Sequence, residues 1–566
     1  MRGGCYELIS ERLGPLPLVN RVLEQIGVEP VFERGLPSGD RRSHLSDARS
    51  LGVLLRSIIV EREAVYRQQE VVAGFSAAGF GLNPAEHEAI TDDRLGRALD
   101  RLFLADRATL LTHIVVGAVK GFAVRLDELH NDSTTISFTG QYRAARGRRL
   151  HGKRAPCITY GFSKLHRPDL KQLLFILTTT ADGGVPIQFR SEDGNTNDSV
   201  THIQTWDSLH VATGRVDFLY VGDCKLCSDE TMHHIDSRGG RFVTVMPRSR
   251  KEDELFRRRV LKRPVAWEKV WDRPNPRRKY GPRDRWFVHR WELPSQEGWP
   301  VIWIYSNLLA LHRKQGRMER IERAVQELAD GDERLRGPRP RKRSRRQIEK
   351  SVDETLERLC VSRYVHPELW AEEIHHFRQE CRGRPGPHTR YRKQTRRRWR
   401  LRWTLDPEAI HDEEATDGMY PLLTNDNSLS AREVLEAHKR QPAVEKRFEQ
   451  IKTVHQIAPV FLKNEGRIEA FFFLYFVALL VQAIIERQVR QAMAARGINE
   501  LPLYPEDRSC RQPTAEQILR LFSLTEAHVL RKGGTVVQTF QPSLTALQRQ
   551  VLTMFDIPEK AYQITP

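Results

Sequence analysis

The sequence predicts an α/β protein with a mixed five-stranded sheet, and three observations lead to that fold class. Near residue 124 the hydrophobic period changes from one typical of helices to one typical of strands. From there to about Pro247 the chain reads as three strands, a helix, a strand, a helix and a strand. The turn residues from Asp182 to Gly184 separate the second strand from the third, as in a hairpin.

That order of elements is the order of a ribonuclease-H-like sheet, in which the first and fourth strands are neighbours. Asp132 lies in the first strand, LHNDSTTISF, and Asp223 ends the fourth, DFLYVGD. We therefore expect the two aspartates to lie close together. The core is predicted to occupy residues 123–250 and to resume over residues 416–495, where a strand and a late helix return.

The two ends of the chain have different patterns. Residues 1–122 contain three runs with apolar residues at helical spacing, and Thr91 or Asp92 is placed to cap the third. This helical domain is expected to bind DNA ends or to form a dimer, or else to cap the core. Residues 496–566 read as a small C-terminal module of unknown role.

The charge, cysteine content and hydropathy of the chain limit the classes of partner and compartment that we expect. The chain has 566 residues and a formal net charge of +18, which favours a polyanionic partner, although a basic surface alone would give the same sum. Seven scattered cysteines fit a reducing cytosol. The apolar run from Ala470 to Ile485 is shorter than the roughly 20 residues of a membrane span, so we expect a buried core helix and no membrane.

Residues 251–415 are predicted to form a basic insertion domain. It holds a Trp-rich strand-like piece and two helical runs that could form a hairpin. From Arg382 to Arg402 there are ten Lys or Arg and no acid, with aromatic residues between them, a pattern that suits phosphate contacts and base stacking. A solvated charged face is the alternative. The residues expected to contact DNA here are Arg390, Arg392, Lys393, Arg396, Arg397, Arg398 and Trp399.

Three acids suggest metal-dependent cutting of nucleic acid. Phosphodiester cleavage needs an activated nucleophile and a stabilised leaving oxygen, and two divalent ions supply both. Asp132 would bridge two Mg²⁺ ions, Asp223 would bind one, and Glu445 in the run VEKRFEQIK would bind the other. Lys225 and Lys452 would pair with phosphate oxygens. Spacing alone is a weak signal, because such distant acids converge only through a tertiary fold.

The motifs resemble those of DDE transposases of bacterial insertion sequences, in the branch with a Tyr-Arg-Glu-Lys signature and its sixteen-thirty-four group. The matching runs are NDSTTISFTG, GFSKLHRPDLKQLLFILTTTADGGVPIQFRSEDGNTND, FLYVGDCKLCS, RGGRFVTVMPRSRKED, DGMYPLLTND, VEKRFEQIK and PVFLKNEGRIEAFFFLYFVALL, in that order. The resemblance implies a ribonuclease-H-like catalytic core interrupted by an insertion. It also implies Asp132, Asp223 and Glu445 as the metal-binding triad and Lys452 as the signature lysine.

The signature is incomplete in its first half. His438 and Gln441 stand where Tyr and Arg are expected, and Arg440, one place off, could substitute as a DNA contact. The resemblance also implies that a Trp in the insertion stacks on a flipped base, with Trp286 and Trp291 as the candidates.

The function expected is therefore that of a DNA transposase. It would bind terminal inverted repeats, pair two ends in a homodimeric complex, cut them with two Mg²⁺ ions (Mn²⁺ as substitute) and join the 3′-hydroxyls to double-stranded target DNA. Its expected location is the bacterial cytoplasm, in association with the nucleoid. Two alternatives are a non-catalytic DNA-binding derivative and a nuclease without strand transfer.

Overall fold

The computed structural model describes residues 6–37, 44–143, 145–164, 167–275, 278, 280–337, 344–454, 457 and 462–564. The chain forms two compact units. Unit 1 comprises Met1–Thr244 and Glu436–Pro566, and unit 2 comprises Val245–Leu435. The insertion predicted over residues 251–415 thus lies within unit 2, which extends further on both sides.

Unit 1 begins with a strand and six α-helices. They are β1 (Tyr6–Arg12), α1 (Leu16–Ile26), α2 (Val28–Gly35), α3 (Asp47–Val60), α4 (Gln68–Ala73), α5 (Asp92–Leu104) and α6 (Arg107–Phe122). Thr91 caps α5 by accepting a hydrogen bond from the backbone N–H of Arg94, as predicted. The strand β1 was not predicted in this helical region.

The next part of unit 1 holds the strands predicted from the change of period. They are β2 (Glu128–Phe138), β3 (Arg149–Leu150), β4 (Lys153–Arg154), β5 (Lys171–Thr180), β6 (Pro186–Asp193), β7 (Leu219–Gly222) and β8 (Arg241–Val245), with α7 (Thr201–Thr213) and α8 (Asp229–Asp236) between them. Five of these form a mixed sheet in the order β6-β5-β2-β7-β8. β5 pairs antiparallel with β2 and β6, whereas β7 pairs parallel with β2 and β8. The prediction that the first and fourth strands are neighbours is therefore confirmed.

Unit 2 combines an antiparallel sheet, helices and a long ribbon. Its elements are α9 (Lys251–Lys262), β9 (Glu268–Arg273), β10 (Asp284–Arg290), β11 (Val301–Ser306), α10 (Asn307–Arg336), α11 (Arg345–Arg358), β12 (Val365–Gln379), β13 (Tyr391–Leu405), α12 (Pro407–Ala415) and β14 (Met419–Thr424). β14, β11, β10 and β9 pair antiparallel in that order. β12 and β13 pair only with each other in the described structure.

The two helices of unit 2 that were predicted as a hairpin pack against the ribbon. Apolar residues of α10 and α11, such as Leu328 and Leu356, share one core with Val365 of β12 and Leu401 of β13. The tract expected to join the helices, residues 338–343, lies outside the described residues.

The chain returns to unit 1 along α13 (Ala431–Arg440), and the remaining elements follow it. They are α14 (Pro442–Glu449), a π-helical turn (Gln450–Val454), α15 (Glu465–Ala495), α16 (Ala515–Leu521), β15 (Glu526–Lys532), β16 (Thr535–Phe540) and α17 (Ala546–Met554). β15 pairs antiparallel with both β1 and β16. The N-terminal strand and the C-terminal module are thus parts of one small sheet.

The apolar helix α15 packs against the mixed sheet of unit 1. The ring of Phe472 lies 6.0 Å from that of Phe175, and the ring of Phe476 lies 5.0 Å from that of Phe189. With 31 residues the helix is longer than predicted, and its length and composition would suit a membrane span. However, 94% of its most apolar window is buried within the protein. The prediction of a buried core helix is confirmed.

Candidate active site

Asp132 and Asp223 are brought together by the parallel pairing of β2 and β7. The last pair of residues in that parallel register is His130 with Val221. Continuing the register by two residues sets Asp132 opposite Asp223, on the same side of the sheet because side chains alternate along a strand. Asp223 follows the end of β7, and its carboxylate accepts a hydrogen bond from the backbone N–H of Lys225 at 2.9 Å.

Glu445 lies on α14, and Gln441 attaches the start of that helix to β2. The Gln441 amide donates to the Asn131 carbonyl oxygen at 2.9 Å, and its oxygen is 2.9 Å from Nδ1 of His130. Gln441 is buried, and Glu445 follows it by about one helical turn. The residue that stands where the signature has Arg therefore holds the helix against the strand of Asp132.

The other side of α14 is attached to the turn between β5 and β6. The buried Arg447 guanidinium donates to the carbonyl oxygens of Gly183 and Gly184, both at 2.9 Å. It also forms a 2.9 Å ion pair with Glu486 of α15. Two independent contacts thus restrain the helix that carries Glu445.

The pKa of Asp132 depends on its burial and on the charges around it, including those of the other two predicted acids. Its side chain is partly accessible, and desolvation raises its pKa to about 6. The charge of Lys164 and a hydrogen bond from the Ser133 N–H oppose that rise, while the negative charges of Asp223 and Glu445 add to it. Asp223 and Glu445 therefore both lie near enough to Asp132 to favour its neutral form.

Two lysines border this acidic cluster. Lys452, on the π-helical turn, donates to the Thr134 hydroxyl at 2.5 Å. Desolvation lowers the pKa of Lys452, the charge of Lys164 lowers it further, and Asp132 opposes the shift. The predicted lysine thus lies beside β2, although α14 ends at Glu449 and a continuous α-helix does not connect it to Glu445.

Lys164 is a residue that sequence reasoning missed. Its ammonium group donates to the Ser133 carbonyl and hydroxyl oxygens, each at 2.7 Å, and pairs with Asp198 at 2.9 Å. Among the influences that lower the pKa of Asp132, the charge of Lys164 is the largest. Lys164 lies in the motif GFSKLHRPDLK, but the motif carries no spacing that would place it beside Asp132.

His202 is a second residue that the sequence did not single out. It is buried beside β7, with Nδ1 3.1 Å from the Tyr220 hydroxyl. Burial lowers its pKa to about 4, while the charge of Asp223 works in the opposite direction. A neutral imidazole therefore lies next to Asp223 at neutral pH.

The remaining signature positions have structural partners. Arg440 forms two hydrogen bonds of 2.6 Å to the Glu128 carboxylate, so its guanidinium is engaged by an acid in this conformation. Desolvation lowers the pKa of His438 to about 4. Lys225 is exposed, two residues after Asp223.

The insertion tryptophans proposed to stack on a base are core residues of unit 2. Trp286 is 8% exposed and donates through its indole N–H to Asp284 at 2.7 Å. Trp291 is 6% exposed and packs edge-on against Phe256. Both side chains are too buried in this conformation to stack on a base, so their placement does not support the stacking role.

The basic residues predicted to contact DNA lie on β13 or just before it. Arg390, Arg392, Lys393 and Arg396 are exposed. Arg397 pairs with Glu373 at 3.4 Å, and Arg398 donates to the Arg336 carbonyl at 3.2 Å. Trp399 is partly buried, with the Arg345 guanidinium 5.8 Å from its ring centre.

The donor set around Asp132 fits a hard divalent cation. Its ligands would all be carboxylate oxygens, and the mutual repulsion of three acids is relieved when a dication binds. In this conformation no group of three or more His, Cys, Asp or Glu side chains in the described ranges is arranged to hold a metal ion. Because Glu445 is exposed, a change of its rotamer would not disturb the core. Comparison of the chain with protein-family models and with curated proteins finds no match.

Proposed function

We propose that this protein is a DNA transposase of an insertion sequence, which cuts DNA at the element's ends and joins the 3′-hydroxyls to target DNA. The observation that carries the proposal is geometric: the register of β2 and β7 sets Asp132 opposite Asp223, and Gln441 bonds the helix of Glu445 to β2. These acids come from a strand, a neighbouring strand end and a late helix.

The strand order of unit 1 supports the same proposal. The order β6-β5-β2-β7-β8, with two antiparallel and two parallel pairings, is the order expected of a ribonuclease-H-like core. Unit 2 interrupts that core between β8 and α14. The resemblance to DDE transposases implies an insertion at this place.

Asp132, Asp223 and Glu445 would hold Mg²⁺, with Mn²⁺ as a substitute. When bound, the ions supply an activated nucleophile and stabilise charge on the phosphate and the leaving oxygen. Lys164 and Lys452 would place positive charge beside the phosphate, and the neutral His202 would support the position of Asp223. Lys225 would contact the DNA backbone.

The proposed partner is double-stranded DNA, bound by a homodimer at the terminal inverted repeats. The net charge of +18 supports a polyanionic partner. A DNA-binding derivative without catalysis would need no acidic cluster. A nuclease without strand transfer would use the same cluster but leave no joined products.

Cleavage of the DNA that flanks the reading frame tests the proposal. Full-length protein is incubated with a labelled duplex that carries both flanks and with a supercoiled target plasmid, in Mg²⁺ or in EDTA. We expect cut ends and joined products in Mg²⁺ only. Asp223→Asn should reduce cleavage by at least 10³-fold and leave duplex binding unchanged.

Glu230→Gln serves as the matched control, because Glu230 is an exposed acid on the adjacent helix α8. It should cut as fast as the unmodified protein. Cleavage by Asp223→Asn at the control's rate would overturn the assignment, and cut ends without joined products would establish the nuclease alternative.

A further inference from the structure

The hairpin of β12 and β13 is a long two-stranded ribbon, with the strands Val365–Gln379 and Tyr391–Leu405. Fifteen residue pairs join its strands in unbroken register, from Val365 with Leu405 to Gln379 with Tyr391. A strand of this length extends about 50 Å. No other strand of the described structure pairs with either edge.

The half of the ribbon next to the helices is neutralised by ion pairs. Arg402 pairs with Glu368 at 2.7 Å, and Arg400 pairs with Glu372 at 3.0 Å. Arg397 pairs with Glu373 farther along. In this half, each of these cations has an acid on the opposite strand.

The distal half has the opposite character. Its cations are Arg378, Arg382, Arg384, Arg390, Arg392, Lys393 and Arg396, all exposed. None of these seven forms an ion pair in the part of the chain that the structure describes, and Glu380 is the one acid in residues 374–396. Arg378 and Arg392 are directly opposed across the strands, an arrangement that is destabilising without a counter-charge.

Exposed aromatic side chains accompany these cations. Phe377 is 66% exposed and Tyr391 is 50% exposed. Phe377 pairs with Lys393, and Tyr391 lies two residues away on the same face. The other face of the same segment carries Arg378, Arg392 and Arg396. Both faces of the distal half therefore suit a polyanion.

We propose that the distal half of the ribbon enters the major groove of duplex DNA, with Arg378, Arg392, Lys393 and Arg396 contacting phosphates. The major groove of B-form DNA is about 12 Å wide and admits a two-stranded ribbon. The unpaired cations of the distal half are complementary in charge to the DNA phosphates. The phosphates would neutralise these cations, as glutamates neutralise the cations of the proximal half. This inference deepens the proposed function by naming the element that binds DNA, but it does not depend on catalysis.

A different role for the charges is protection of the exposed edges. Lysine and arginine on an edge strand prevent pairing with another chain. That role predicts aggregation when the charges are removed, with no change in DNA affinity of the remaining monomer. It does not explain why the cations of the proximal half are paired with acids, whereas the distal half has Glu380 as its one acid.

The test compares two double variants of the full-length protein. Arg392→Gln with Arg396→Gln removes unpaired distal cations, and Arg363→Gln with Arg402→Gln removes ion-paired cations at the proximal end of the ribbon. Affinity for a 40-bp fluorescein-labelled duplex of random sequence is measured by anisotropy between 100 and 250 mM salt. We expect the distal variant to lose on the order of tenfold in affinity and its salt slope to fall by about 2, since each lost phosphate contact removes about 0.9.

The affinity of the control variant should be within about twofold of that of the unmodified protein. Both variants should have melting temperatures within about 2 °C of the unmodified protein, because substitutions of exposed residues change stability little. Equal losses in both variants, or none in the distal one, would overturn the proposal. So would aggregation of the distal variant on size exclusion with unchanged affinity of its monomer. Tighter binding of an RNA duplex of the same sequence would also overturn it, because the A-form major groove is too narrow to enter.

A footprint on the unmodified protein avoids any effect of substitution on folding. Saturating duplex DNA should protect Lys393 from acetylation several-fold, measured by mass spectrometry, while Lys350 of α11, an exposed lysine of unit 2 outside the ribbon, stays reactive. An unprotected Lys393 would contradict the proposal. Asp223→Asn should bind as the unmodified protein does, so loss of catalysis and loss of ribbon binding are separable outcomes.

Discussion

The Gln441 side chain donates a hydrogen bond to the Asn131 carbonyl oxygen at 2.9 Å, which joins the helix of Glu445 to the strand of Asp132. Asn131 directly precedes Asp132, and Gln441 precedes Glu445 by about one turn. This amide, together with the contacts of Arg447, restrains the helix of Glu445 relative to β2. Lys164 and Lys452 contact the two residues that follow Asp132 on the same strand.

Substituting Leu for Gln441 should uncouple this helix from β2. The Asn131 carbonyl and His130 would lose a buried partner, so we expect a loss of about 1–3 kcal/mol in the free energy of unfolding. Urea denaturation measures it, with Gln538→Leu on an exposed position of β16 as the control. Cleavage should fall more than stability predicts, because Glu445 would no longer be held near Asp132; unchanged stability and cleavage would contradict this role.

Glu128 should make the protein sensitive to acid. Burial alone would raise its pKa, but hydrogen bonds and charge from His130 and Arg440 lower it from 4.5 to about 2. A lowered folded-state pKa means that the stabilisation is complete above about pH 4.5 and is lost as the pH falls towards 2. Glu128→Gln should therefore cost about 2–3 kcal/mol at pH 7 and much less at pH 2.5.

Urea denaturation of both proteins at pH 2.5, 4 and 7 tests the Glu128 prediction. Arg440→Gln should show a smaller loss with the same pH dependence, because His130 still contacts the carboxylate. A difference between the unmodified protein and Glu128→Gln that stays constant across this range would show that Glu128 does not carry the effect.

Asp132 should destabilise the metal-free protein at neutral pH. Its folded-state pKa is raised from 3.8 to about 6. The folded protein therefore gains stability as the pH falls through 6, and this stabilisation is absent above pH 6. In EDTA at pH 7.5, Asp132→Asn should be up to about 3 kcal/mol more stable than the unmodified protein. Below about pH 4 the difference should vanish, because both states of the unmodified protein then carry a neutral carboxyl group.

Addition of Mg²⁺ should offset most of that difference in stability. A ligand that binds only the folded state stabilises it by mass action, and 100-fold excess over the dissociation constant gives about 2.7 kcal/mol. We expect 10 mM Mg²⁺ to raise the melting temperature of the unmodified protein and to leave that of Asp132→Asn unchanged. Equal shifts in both proteins would count against a metal site at Asp132.

Lys164 should act on the acidic cluster without being one of its ligands. Lys164→Met removes the ion pair with Asp198 and the charge that opposes protonation of Asp132. The pH below which cleavage falls should therefore move upward in Lys164→Met, and Lys164→Arg should restore part of the original profile. The exposed Lys120→Gln is the control, and a pH profile identical to the unmodified one would exclude this positioning role.

The sequence by itself determined most of the local elements and that Asp132 and Asp223 lie on neighbouring strands. Strand and helix periods depend on neighbouring residues, so the run KQLLFILTTT was predicted as a strand and forms β5. The change of period at residue 124 located the sheet, and the strand order placed Asp132 beside Asp223, as the pairing of β2 with β7 confirms. The buried apolar helix was predicted, although its full length of 31 residues was not.

Only the tertiary structure decided which residues support the acids. Gln441, Lys164 and His202 act through partners far away in the chain, and no local period or spacing reports such contacts. The same is true of β1, whose partner β15 lies at the other end of the chain. Trp286 is buried against Trp271 of β9 and Trp291 against Phe256 of α9, partners that the spacing of these residues does not report. Local patterns indicate which face of a helix or strand is apolar. Which element packs against that face depends on contacts between residues far apart in the chain, which form only when long loops close.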